Sequence, residues 1–162
     1  MEAFLHPLQG LAEFGEIKKR CGANCGILNV SGCMESQKVH LMYGLSGLFP
    51  CHLILADDER NAKEIYEDYR FYDKNVYFYP AKDLLFFQAD IHGNLLIRQR
   101  MRVIKALLEQ KESITVITSV DGCLDYLQPL DKIEKQLIHF RNDSTLDMDK
   151  LKDALVHMGY ER

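Results

Sequence analysis

The sequence contains no apolar run that approaches the ~20 residues needed to cross a bilayer. Its first residues also lack the basic segment and apolar core of a secretory signal peptide. These two absences argue against a membrane-spanning or exported protein. The expected location is therefore the cytoplasm.

Paired cysteine motifs and hydrolase motifs are also missing. The five cysteines are odd in number, and without an export signal they favour reduced thiols over a disulfide framework. Cys21 and Cys25, with His52, could be imagined as metal ligands, but no second closely spaced pair exists, so buried thiols are the favoured interpretation. No motif brings a serine nucleophile and a histidine base together. We expect no metal and no catalytic residue.

The chain has fewer basic than acidic residues. The 162 residues carry a formal net charge of −4, and 47% of them are hydrophobic. That composition supports one well-buried core with a small appendage. Because a nucleic-acid surface is normally basic, direct DNA binding by this chain is not favoured, although a local basic patch stays open.

Residues 26–48 have the layout of a phosphate-binding loop without its chemistry. An apolar stretch at 27–30 predicts a strand, 31–36 a tight turn, and the spacing of Val39, Met42 and Leu45 a helix. A working loop needs glycines beside the phosphates and a lysine before a serine or threonine. Aligned on Gly32 and Ser36, those positions hold Asn29, Met34 and Glu35. We therefore expect a nucleotide-binding scaffold that binds no cofactor.

The chain between 26 and 127 alternates apolar strand patterns with helical ones. Further strands are predicted at 51–56, 76–79 and 113–120, and helices at 4–19, 59–72 and 95–111, followed by a helical turn at 121–127. Asp57 and Asp58 fit a helix cap better than a magnesium pair. This alternation predicts an α/β fold: a three-layer αβα sandwich around a parallel sheet.

The pattern changes near residue 130. Residues 135–141 alternate polar and apolar side chains as a half-exposed strand does, and 146–157 form an amphipathic helix. One strand and one helix cannot bury a core alone. We assign a first domain to 1–129, and the beginning of a small, truncated α+β second domain to 130–162.

A candidate partner or interdomain surface lies around the segment before the 95–111 helix. Phe86 and Phe87 could pack between domains or against a partner. In the helix, Leu95 and Met101 are expected to face inward, and Arg98, Arg100 and Arg102 to face outward. Arg98, Arg100 and Arg102 alternate along the helix and so would spread over about 200° of its surface, which is not one stripe.

Three segments together resemble the N-terminal region of the bacterial transcription-repair coupling factors, which is related to the UvrB subunit of the excision nuclease. They are YPAKDLL at 79–85, RQRMRVIKAL at 98–107 and ITSV at 117–120, followed by Leu124, Leu127 and Pro129. The resemblance implies a degenerate helicase-like first domain that has lost ATP binding. UvrB keeps a complete phosphate loop, so Asn29, Met34 and Glu35 mark a departure from it.

The resemblance also implies what the full-length protein does. Such factors are ATP-dependent translocases that displace stalled RNA polymerase from DNA and recruit UvrA for nucleotide excision repair. ATP and magnesium belong to their downstream motor. The second domain of the family docks UvrA, and the contacting residues would follow Arg162, so none is assigned here. The expected function is a non-catalytic scaffold that contacts proteins and other domains of its own chain.

Two alternatives remain. An active nucleotide-dependent enzyme would need Lys38 to replace the missing loop lysine. Lys38 lies three residues after that position, nearly one turn further along the helix. A DNA-binding module would use Arg98, Arg100, Arg102 and the aromatic residues near Phe86.

Overall fold

The structure is a computed structural model that describes residues 2–23, 26–82, 91–109, 113–138 and 147–157. The helices are α1 (Glu2–Gln9), α2 (Ala12–Gly22), α3 (Glu35–Ser46), α4 (Glu59–Tyr69), α5 (Ile91–Leu108), α6 (Val120–Leu124), α7 (Leu130–Gln136) and α8 (Met148–His157). The strands are β1 (Cys51–Ala56), β2 (Val76–Tyr79) and β3 (Ile114–Ser119). In the described ranges, no helix is long and apolar enough to span a membrane.

A parallel sheet with strand order β1-β3-β2 forms the centre of the fold. β3 lies in the middle, and all six of its residues are buried, as expected for a strand rich in β-branched residues with both faces covered. Cys51 pairs with Ile114 in the β1–β3 ladder, and Val76 pairs with Thr115 in the β2–β3 ladder. All three carboxyl ends therefore lie at one edge of the sheet.

Helices cover both faces of this sheet. On one face, α3 and α4 bury Val39, Tyr43, Ala62 and Tyr69 against Ile117 and its neighbours. On the other face, α5 packs Val103 against Ile114 and Val116. The predicted α/β class with a parallel sheet is confirmed.

The strand predicted at 27–30 is wrong. Residues 26–34 contain no strand, and Ile27 is 94% exposed. The stretch lies between two glycines with positive φ, Gly26 at 80° and Gly32 at 82°. Such a short apolar run, interrupted by Asn29, cannot be distinguished by pattern alone from an unpaired segment. The loop that follows it is thus not anchored in the sheet.

Several helix boundaries differ from the predictions. The helix expected at 4–19 is two helices separated at Gly10 and Leu11. The helix expected at 59–72 ends at Tyr69, and α5 begins at Ile91 instead of 95.

The buried face of α5 also differs from the expected one. Leu95 and Met101, predicted to face inward, are exposed, whereas Arg100, predicted to face outward, is buried. A buried arginine requires bonding partners, and those of Arg100 lie at the edge of the sheet described below.

The chain divides into two units, residues 1–126 and 127–162. In the second unit, Lys135 and Gln136 belong to α7, so the strand predicted at 135–141 is wrong at its start. The polar–apolar alternation there is short, and the residues from Leu130 also fit a short helix that begins after Pro129. Residues 139–141 lie outside the described residues. The domain assignment to 1–129 and 130–162 stays a prediction.

Candidate functional site

The degenerate phosphate loop precedes α3 directly. Gly32 has the left-handed φ that such turns need, and a Cβ built on it would meet open space. The Met34 N–H donates to the Gln37 Oε1 over 3.0 Å, and the Lys38 N–H donates to the Met34 carbonyl. These bonds fix the first turn of α3. Asn29 precedes this turn in a segment without regular secondary structure and is exposed.

Glu35 and Lys38 neutralise each other at the start of α3. The Lys38 Nζ lies 2.6 Å from the Glu35 Oε1, with both side chains exposed. The pKa of Asp57 is lowered. The largest cause is the hydrogen bond donated by Asn61, and the smallest is the positive charge of Lys38. The only cation near the expected lysine position, among the described residues of this turn, is therefore directed at carboxylates.

The carboxyl edge of a parallel sheet is where α/β proteins usually place ligands. At this edge, the fully buried Ser119 donates its hydroxyl hydrogen to the Glu59 Oε2 over 2.9 Å and accepts from the Gly122 N–H. The Ala81 N–H donates to the same Glu59 oxygen over 3.2 Å. Glu59 thus connects the start of α4 to the ends of β2 and β3.

Arg100 forms a second internal cluster at this edge. Its side chain is 9% exposed, and its guanidinium donates to the Asp125 Oδ2 at 2.6 Å, to the Pro80 carbonyl at 3.2 Å and to the Tyr79 hydroxyl at 2.5 Å. The same group lies 4.3 Å from the centre of the Tyr79 ring, within cation–π range. The hydrogen bond from Arg100 is the main cause of a lowered pKa of Asp125.

These two clusters use the polar side chains of the edge for contacts within the protein. Glu59, Ser119, Arg100 and Asp125 each have an internal partner. In the described ranges, no group of three or more histidine, cysteine or acidic residues is arranged to hold a metal ion. The two clusters therefore join α4 and α5 to the ends of β2 and β3.

The role of Arg100 was missed from the sequence, although a signal for it exists. Leu96, Val103 and Leu107 lie four residues before, three after and seven after Arg100, so all four share one stripe of the helix. A charged residue on an apolar stripe indicates a buried partner, and Asp125 supplies it.

The predicted surface residues are only partly described. Phe86 and Phe87 lie outside the described residues. Arg98 and Arg102 are exposed on α5 as expected. Because the Arg100 side chain is buried, only Arg98 and Arg102 remain on the outer face. These two are four residues apart and therefore lie on one stripe of the helix.

Comparison with known proteins gives one consistent result. Over 89 residues, which is 55% of this chain, the sequence is 25% identical to the transcription-repair-coupling factor of Staphylococcus aureus. The corresponding factors of Staphylococcus haemolyticus and Staphylococcus epidermidis are 28% and 26% identical over 54% and 56% of the chain. The resemblance to transcription-repair coupling factors is confirmed. No model of a protein family matches the chain.

The similarity to transcription-repair coupling factors is confined to a small part of those proteins. The matched stretch spans 8% of the S. aureus factor and 7% of the S. haemolyticus factor. What a whole coupling factor does is therefore not transferred to this chain by similarity alone.

Proposed function

We propose that this chain is a non-catalytic scaffold module of the transcription-repair coupling type. Its role is to provide contact surfaces for other proteins and for other domains of the same chain, on a degenerate helicase-like fold. The similarity to coupling factors supports the biological setting, DNA repair linked to transcription. The internally bonded edge of the sheet supports a role without chemistry.

The Glu35–Lys38 ion pair is the observation that carries this proposal. A phosphate loop needs an unpaired cation at its mouth to meet the phosphates. Here a carboxylate occupies that sequence position and also takes the next cation, 2.6 Å away. A triphosphate would meet the negative charge of Glu35 and would have to compete for Lys38.

The remaining parts of the proposal concern a full-length coupling factor. There, ATP and magnesium would serve a separate motor that translocates on DNA and displaces stalled RNA polymerase. UvrA would be recruited for excision repair, in the cytoplasm. This module would contribute its shape and its contact surfaces and no hydrolysis of its own.

Isothermal titration with ATP and magnesium tests the loss of nucleotide binding. We expect no saturable binding by the wild-type chain or by Ser36→Ala, since the loop lacks its lysine and glycines. Wild-type binding that persists in Glu35→Ala but disappears in Ser36→Ala would show a working phosphate loop and would contradict the proposal.

An ATPase assay tests the alternative that Lys38 serves as the missing lysine. The Lys38–Glu35 pair argues against that role, because a lysine held by a carboxylate is not free for phosphate. We expect no hydrolysis above background. Hydrolysis abolished by Lys38→Ala, but not by the matched control Lys63→Ala in α4, would establish an active enzyme instead.

A further inference from the structure

The α5 side of the sheet is only partly covered. Leu53 and Leu55 of β1 lie on the same face as their partners Val116 and Thr118, because paired residues of parallel strands share a face. α5 packs over β2 and β3 on this face. Leu53 is 63% exposed and Leu55 is 54% exposed. An apolar strip along β1 is therefore open.

The hand of the chain connections shows which side of α5 borders this strip. β1 connects to β2 through α4 on one face, and β2 connects to β3 through α5 on the other. Connections between parallel strands are right-handed in nearly all proteins. With that hand, and with about 100° between successive helical residues, the flank of α5 turned toward β1 carries Ile97 and Met101. Both are exposed, 59% and 48%.

Basic side chains form the outer rim of this flank. Arg98, Arg102 and Lys105 are spaced four and then three residues apart, so they follow one stripe next to Ile97 and Met101. The Lys105 Nζ lies 3.8 Å from the Glu109 Oε1. Arg98 and Arg102 form no ion pair within the described ranges, whereas Arg60 in α4 and Arg70 just after it each pair with a glutamate.

We propose that the β1–α5 groove, formed by Leu53, Leu55, Ile97 and Met101 with Arg98 and Arg102 on its rim, binds an acidic amphipathic helix of a partner protein. The inference rests on the proposed scaffold role and specifies the chemistry of one partner. The vacant space lies beside α5, in the helix layer over β1. Helices pack about 8–10 Å apart, so a second helix fits there. Its apolar stripe would cover the leucines, and its carboxylates would meet Arg98 and Arg102, which have no ion pair with another described residue.

Binding of a designed probe to the full chain tests this proposal. The probe is a labelled helical peptide with leucines at helical spacing flanked by glutamates, and its matched control carries lysine for each glutamate. In fluorescence anisotropy at low salt, we expect the Leu/Glu peptide to bind and the Leu/Lys peptide not to bind. The double variant Arg98→Glu/Arg102→Glu should weaken binding about tenfold or more, since two rim ion pairs are replaced by repulsion.

Apolar and matched control variants complete the experiment. Leu53→Ser and Leu55→Ser should each weaken binding several-fold through loss of buried apolar area, while Lys63→Glu on α4 should leave it unchanged. All of these side chains are exposed in the structure, so circular dichroism should show folded variants.

Several results would overturn the proposal: no binding of the Leu/Glu peptide, equal binding of both peptides, or binding that the groove variants leave unchanged. Competition by short duplex DNA with loss of binding in Arg98→Glu/Arg102→Glu would assign the rim to nucleic acid. A dimer in sedimentation that Leu53→Ser dissociates would assign the groove to a second copy. The ATP titration reports on the loop alone, so the two proposals can fail separately.

Discussion

The ion pair between Arg100 and Asp125 connects α5 to the segment after α6, and its contribution depends on pH. The pKa of Asp125 lies below its ordinary value of 3.8, first because of the hydrogen bond from Arg100. A lowered folded-state pKa means that the ionised carboxylate stabilises the fold above the ordinary value. This stabilisation is lost as pH falls through the lowered pKa.

Asp125→Asn should therefore unfold at lower urea concentration than the wild type at pH 7. The difference should shrink as pH falls from about 3.8 through the lowered pKa, because the wild-type carboxyl becomes protonated over that range. Urea titrations over a pH series provide the measurement. The control is Asp68→Asn, an exposed carboxylate of α4, which should stay within about 0.5 kcal/mol of the wild type. A difference that is constant with pH would contradict the role of this ion pair.

Single residues were predictable from the sequence when their role is local. Glu35 is exposed in the first turn of α3, and its pair with Lys38 spans only three residues. Arg100 and Asp125 are 25 residues apart, and nothing in local periodicity pairs them. Long-range polar contacts of this kind need the fold before they can be assigned.

At the scale of elements, the start of α4 was predicted and is confirmed. Asp58 is the N-cap, and its carboxylate accepts the Asn61 N–H at 2.7 Å. This bond satisfies one of the backbone donors that a helix start leaves without a partner. The two adjacent aspartates are thus explained by helix capping.

Removing this cap by Asp58→Ala should lower the free energy of unfolding by about 1 kcal/mol. Asp58→Asn keeps a side-chain acceptor and should lose much less. Urea denaturation of the two variants beside the wild type measures both effects. Equal losses in the two variants would show that the cap bond does not stabilise α4.

The central strand β3 was predictable because its residues are buried on both faces. The β-branched residues of β3 favour a strand, and exposing their apolar side chains to water would cost free energy. The 27–30 segment is shorter, and whether it pairs depends on a neighbouring strand that the sequence does not specify. The prediction at 135–141 failed at its start for a related reason: a short alternation is compatible with one turn of helix.

At the scale of the whole molecule, the two units differ in how much they bury. The hydrophobic core lies in residues 1–126, around the sheet. Among the residues of 127–162 whose side-chain exposure is described, none is buried. The change of pattern near residue 130 therefore coincides with a loss of core. Which partner covers each exposed face is information that one sequence does not carry.

Hydrogen exchange should reveal this difference in burial directly. Amides of β3 lie in the centre of the sheet and should exchange only through global unfolding. Helices as short as α7 and α8, with 7 and 10 residues, are marginal without packing, so their amides should exchange with opening free energies near zero. Exchange of the full chain, followed by mass spectrometry, separates the two regions. Amides of α8 that exchange as slowly as those of β3 would show that the second unit has a stable core of its own.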